Sequence, residues 1–207
     1  MELKLEGWAA VPALLCCCVC SAVPIIFMVY LGIYAFNNPD QEAWYGLDTD
    51  GKGALFASED AGLTGRATEL VDIHARFVTW FLWGFIQTLV LPLSATILVG
   101  LGMLIHPSLG SFCSGLLGCG MSCGGLAWWI TGIVWRFRSD GAYATGDVVP
   151  EGKDLDAWEA EISADGSLFQ YRSGKFMFIY YVICWSMMAC GCLTSICGAI
   201  AGCLSSK

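Results

Sequence analysis

Apolar residues in this chain gather into four long blocks, and the charged residues lie between them. Trp8 to Phe36, Phe77 to Ile105, Leu109 to Phe137 and Phe176 to Gly202 hold no acid or base in their interiors, Arg136 standing at the edge of the third. A hydrocarbon core of ~30 Å is crossed by about 20 helical residues. Each block therefore predicts one span, and the chain predicts an all-α membrane protein. It is a four-helix transmembrane bundle in a single membrane domain over 1–207, with spans near 8–36, 77–105, 109–137 and 176–202. Four crossings put both termini and the short connection "HPSLG" on one face. The long loops, 37–76 and 138–175, share the other.

The first block needs a separate check, because Lys4 followed by "AAVPALLCCCVCSA" has the outline of a secretory signal. Cleavage there would leave "VPIIFMVYLGIYAF", too short to span, so the block reads as a retained first span.

Within the spans, finer patterns predict how the helices meet. Helices in lipid associate by close backbone approach rather than by hydrophobic drive, so small residues should form stripes. The third span carries Gly110, Ser114, Gly118 and Ser122 at i,i+4 spacing, with Gly120 and Gly124 beside them; the fourth carries Gly198 and Gly202 on such a stripe. These faces are expected to join the two spans to each other or to an outside partner. In the second span Pro92 lacks an N–H and predicts a kink near Leu89. Gln87, its one strongly polar interior side chain, is expected to bond a neighbouring helix. Trp8, Trp80, Trp83, Trp135 and Tyr171 lie near span ends, where interfacial aromatic anchors belong.

Composition agrees with the pattern. At 57% hydrophobic, 14% charged and a mean hydropathy of +0.64, a soluble globule of 207 residues would expose too much apolar surface. The net charge of −8 is localised: Lys4 and Lys207 offset Glu2 and Glu6, so the acid excess falls on the loop face. Acids count little in the positive-inside rule, and Arg76, Arg136, Arg138, Arg172 and Lys175 all flank spans on that face. Long loops in the cytosol are the expectation. All 12 cysteines lie in the spans or at their edges, where cysteine acts as a small hydrophobe.

One loop suggests chemistry. In "LDTDGKGALFASED", taking Asp48 as position 1 of an EF-hand puts Asp50 at 3, the turn glycine Gly53 at 6 and Glu59 at 12. Asp48, Asp50 and Glu59 are thus candidate ligands for weak Ca²⁺ or Mg²⁺ binding. "NPDQEAWYGL" would supply a short entering helix capped by Asn38. Lys52 at position 5 puts a cation where a ligand oxygen belongs. Downstream, Leu63, Ala67, Leu70, Ile73 and Phe77 recur at helical spacing and predict an amphipathic helix running into the second span. The second long loop reads as a solvated cap with one acidic helix around Leu155 to Ile162.

Other classes fall away. No phosphate loop, nucleophile elbow or HExxH helix is present. The spans lack the ionisable residues of ion-coupled transporters. The acid excess excludes a nucleic-acid surface. Cofactors, apart from that weak divalent ion, are not expected.

The run "WWITGIVWRFRSDGAYATGD" followed by "LFQYRSGKFMFIYYVICW" resembles the small four-span proteins grouped as transmembrane protein 272-like. The resemblance covers the last two spans and their loop. It implies the four-span architecture and brings no established activity.

The expected function is that of a non-enzymatic, multi-pass scaffold or accessory subunit of a larger membrane assembly. Its expected partners are membrane lipids and other integral subunits or copies of itself. Two alternatives stand beside it. One is a small oligomeric channel lined by Ser, Thr and Gln87; the other is a calcium-responsive adaptor using the 48–59 loop.

Overall fold

A computed structural model describes residues 22–65 and 69–205, the side chains beyond position 192 excepted. The chain is mostly helical. Helix α1 (Ala22–Phe36) is the described part of the first apolar block; the rest of that block, with Trp8 and the cysteines at 16–20, lies outside the described residues.

The first long loop departs from the expected all-α picture. Strands β1 (Trp44–Leu47) and β2 (Gly53–Phe56) form an antiparallel hairpin in the register Leu47 to Gly53, and β3 (Val71–Asp72) pairs antiparallel with β1 on its other side. A short helix, α2 (Glu59–Thr64), follows β2 and is capped by Ser58. The entering helix expected over "NPDQEAWYGL" is therefore a strand at its end. Trp44 and Tyr45 are aromatic residues that suit a pleated, half-buried surface better than a helix flank. The amphipathic helix expected from Leu63 is likewise interrupted by β3, and the second span starts at Ile73 with Asp72 accepting the Ala75 N–H at 2.7 Å.

The second span is a helical run from Ile73 to Ile105 in three parts: α3 (Ile73–Phe85), a π-helical turn (Ile86–Val90) and α4 (Leu91–Ile105). The π turn falls where the Pro92 kink was expected. Pro92 cannot donate to the carbonyl four residues back, and its ring crowds that carbonyl; one wide turn relieves both. His106 is extended and turns the chain into α5 (Pro107–Phe137), whose first residue is a proline free of any N–H requirement. Two short helices follow, α6 (Ser139–Ala144) and α7 (Leu155–Ser163), the latter at the place the sequence predicts. Helix α8 (Tyr171–Ser205) closes the described chain.

Three helical runs, Ile73–Ile105, Pro107–Phe137 and Tyr171–Cys192, are long and apolar enough to cross a membrane. Their outer faces are what lipid requires: Leu104 is 85% exposed and Ile105 76%. The chain is consistent with an integral membrane protein.

The core sits at the loop end of the helices. Leu31, Phe77, Trp80, Phe81, Met177 and Tyr181 are fully buried there, with Tyr34, Trp128 and Phe176 packed against them. Trp80 and Trp128 stack at 4.9 Å between centroids, and each indole N–H donates to the other residue's carbonyl, at 3.2 and 2.8 Å. Trp80 is thus a core residue and not the interfacial anchor expected from its position. In a low-dielectric core an indole N–H must find an acceptor, and α5 supplies one. Gly132 makes this packing possible: a Cβ there would lie 2.0 Å from Trp80 Nε1 and 2.1 Å from Tyr181 Oη.

Candidate functional site

The molecule carries a polar junction between loops and helices, an acidic hairpin, and open lateral surfaces on α3, α4 and α5.

The junction begins with Arg136, the penultimate residue of α5 and 3% exposed. Its Nε donates to the Gly174 carbonyl in the first turn of α8 at 2.9 Å, and its Nη1 to Asp147 Oδ2 at 2.5 Å. The guanidinium also lies over Phe137 and Phe178, at 5.3 and 6.0 Å from their ring centroids. One buried cation thereby ties the third helix to α8 and to the loop between them. Beside it the buried Asp140 accepts from Arg76 at 2.8 Å and lies 3.6 Å from Arg138 Nε. On the opposite flank, Asp40 accepts the backbone N–H of Ser173 at 2.7 Å and of Arg172 at 3.3 Å, capping α8 from far upstream in the chain. Gln170 donates to the Gln41 carbonyl at 2.5 Å, and its Oε1 lies 3.2 Å from His74 Nδ1.

The two long loops are therefore one folded, cross-bonded head. The second loop is more than the solvated cap expected of it. Trp158 and Ile162 are buried, the Trp158 indole donates to the Gly146 carbonyl at 2.8 Å, and Tyr143 and Phe169 pack against the same ring. Burial moves the phenols of Tyr45 and Tyr143 above their ordinary pKa. The Asp140 carboxylate adds to the effect at Tyr45, whereas Lys153 opposes it at Tyr143.

The candidate metal loop takes a different form from an EF-hand. Asp48 Oδ1 accepts the backbone N–H groups of Asp50 at 2.9 Å and Lys52 at 2.8 Å, and the Gly51 N–H donates to the Asp48 carbonyl at 3.0 Å. This is an Asx-type turn at the tip of the hairpin. Asp48 and Asp50 belong to that tip, whereas Glu59 opens α2 beyond β2. Among the described residues no three His, Cys, Asp or Glu side chains converge to hold a metal.

The packing residues divide. Gly110 lies against Gly102 of α4, where a Cβ on Gly102 would be 3.2 Å from the Gly110 Cα. Its partner among the described residues is α4, because the short connection through His106 holds the ends of α4 and α5 together. Helices α5 and α8 meet through Tyr181, which donates to the Trp129 carbonyl at 3.0 Å. Gly124 faces Gln87, and Gln87 Nε2 donates to the Met121 carbonyl, the interhelical bond expected of it. Ser114 and Gly118 line a shallow lateral hollow between α4 and α5, and a Cβ at Gly118 or Gly120 would meet nothing within 4 Å among the described residues. The surroundings of Gly198 and Gly202 lie outside the described residues.

Between α3 and α5 runs a second lateral groove of about 310 Å³, walled by Trp80, Trp83, Trp128 and Trp135, with Gln87 and Gly124 at its deep end. Arg76 stands at the other end, 6.0 Å from the Trp135 ring centroid.

Sequence reasoning missed the junction. Arg136, Arg76 and Arg138 were legible only as charges flanking spans, and Asp40, Asp140 and Gln170 carried no signal at all. One sign was available: an arginine at the edge of an apolar run, at position 136, calls for a partner. Comparison with family models, with curated proteins and with solved structures finds no match to this chain.

Proposed function

We propose that this chain is a four-span membrane protein, its first crossing supplied by residues 8–36, that works by lateral helix packing as a scaffold or accessory subunit. The observation that carries this reading is the pair of open glycines on α5. Gly120 lies beside Leu116, which is 64% exposed, and Gly118 lies on the other side of the helix, in the hollow toward α4; both have open space before them among the described residues. Lipid chains fit a bulky surface as well as a smooth one, so glycines facing outward serve little purpose unless another helix approaches closely. The folded head supports the same reading. It fixes the loop ends of the helices rigidly, while α4 and α5 extend away from it and pack chiefly on each other. On this reading the arginine-flanked head faces the cytosol.

Purification of the full chain in mild detergent tests the proposal. Foreign integral membrane subunits should accompany the wild type and be lost from Gly118→Leu, with the helical circular dichroism unchanged. A symmetric homo-oligomer around a wet axis would support the channel alternative instead.

A further inference from the structure

The groove between α3 and α5 has a direction. Thr79 and Trp135 line its head end, and Gln87 closes it about 12 Å deeper along the helix. Its walls are four indoles, and its mouth carries charge. Arg76 and Arg138 share the single carboxylate of Asp140, so this cluster has one positive charge to spare. Arg138 is the free end of the cluster, its side chain 60% exposed. In a chain of net charge −8, spare positive charge at the mouth of an apolar groove stands out.

We propose that the groove holds one acyl chain of an anionic phospholipid from the surrounding bilayer, with its phosphate at Arg138 and Arg76. Basic pockets at the membrane surface between transmembrane helices are suited to anionic headgroups. Guanidinium adds paired donors in the geometry of phosphate oxygens. The groove's depth suits an acyl chain and not a partner helix, because 12 Å accommodates only about two helical turns. Gln87 marks the limit: its amide is held by the Met121 carbonyl and turns the groove floor polar.

The test uses the full chain in phosphatidylcholine vesicles doped with lipid bearing brominated acyl chains, which quench indole fluorescence on contact. Brominated phosphatidylglycerol is compared with brominated phosphatidylcholine at equal mole fractions. The anionic lipid should reach half of its quenching at a mole fraction about fivefold lower, the factor that one interfacial arginine supplies. Arg138→Gln should bring the two lipids to parity, and Arg138→Lys should keep most of the preference. Ala127→Phe, an exposed position on the groove wall, should remove the preference while leaving the helical circular dichroism intact. Parity in the wild type overturns the proposal. So does a preference that survives Ala127→Phe or Arg138→Gln, since the anionic lipid would then bind elsewhere. An absence of quenching by either lipid overturns it too, a partner helix then covering the indoles.

Discussion

Arg136 and Asp147 should respond to substitution in the reverse of the intuitive order. Arg136 is 3% exposed and Asp147 46%, so the pair joins a buried cation to a half-solvated acid. Asp147→Ala leaves the guanidinium buried with only the Gly174 carbonyl and two ring faces for company. Breaking a buried pair by removing one partner costs about 3–5 kcal/mol. Because water reaches the vacated site of a half-exposed acid, the expected loss is reduced to about 2–3 kcal/mol. Arg136→Met removes the charge together with its desolvation penalty. Methionine fills apolar space between Phe137 and Phe178, and the released Asp147 returns to water. The expected loss is about 1 kcal/mol, since apolar replacement of a buried ion pair is often near neutral. The double variant should match Arg136→Met alone. Denaturant unfolding of the detergent-solubilised full chain, followed by tryptophan fluorescence, measures all three. If Arg136→Met proves costlier than Asp147→Ala, the bonds of the guanidinium outweigh its desolvation and the reasoning fails.

Other expectations follow from the same contacts. Gly132→Ala should destabilise the bundle by about 3 kcal/mol, the upper part of the overpacking range, because its methyl overlaps Trp80 and Tyr181; unfolding curves and loss of near-UV circular dichroism report it. Asp40→Ala removes the cap of α8 and should cost about 1–2 kcal/mol, with faster amide exchange at Arg172 and Ser173. Asp48→Ala should weaken the hairpin by about 1 kcal/mol to the same extent with and without millimolar calcium, as a turn role requires and a metal role does not. The raised phenols of Tyr45 and Tyr143 give alkaline sensitivity. Below the ordinary tyrosine pKa, near 10, both states are protonated and stability is flat; above it the unfolded chain ionises first and stability falls as pH rises. Tyrosinate absorbance against pH, compared with Tyr45→Phe and Tyr143→Phe, measures it.

The membrane helices were legible because their signal is local. An apolar run sets its own length, and Pro92 and Gln87 act on a turn or on the nearest helix, so expected and observed features coincide at both. The head was illegible because its bonds are distant in sequence. Asp40 caps a helix that begins more than a hundred residues later, and Gln170 joins His74 to Gln41. The 48–59 loop supports two readings for a chemical reason. An aspartate followed by glycine favours a tight turn whether oxygen atoms surround an ion or a carboxylate satisfies backbone N–H groups. The two short aromatic and apolar runs flanking it were the sign of a hairpin. Gly110 does meet a helix closely, in α4, but a small residue announces close approach and not which helix approaches.

The central claim is that another membrane helix packs on α5 at Gly118 or Gly120, which have nothing within 4 Å among the described residues. A photo-crosslinking amino acid at position 118 or 120 of the full chain in native membranes tests it most directly. The account predicts discrete adducts with another integral membrane polypeptide, absent when the probe is placed at Leu104 on the outer face of α4. Lipid adducts alone at all three positions would contradict it.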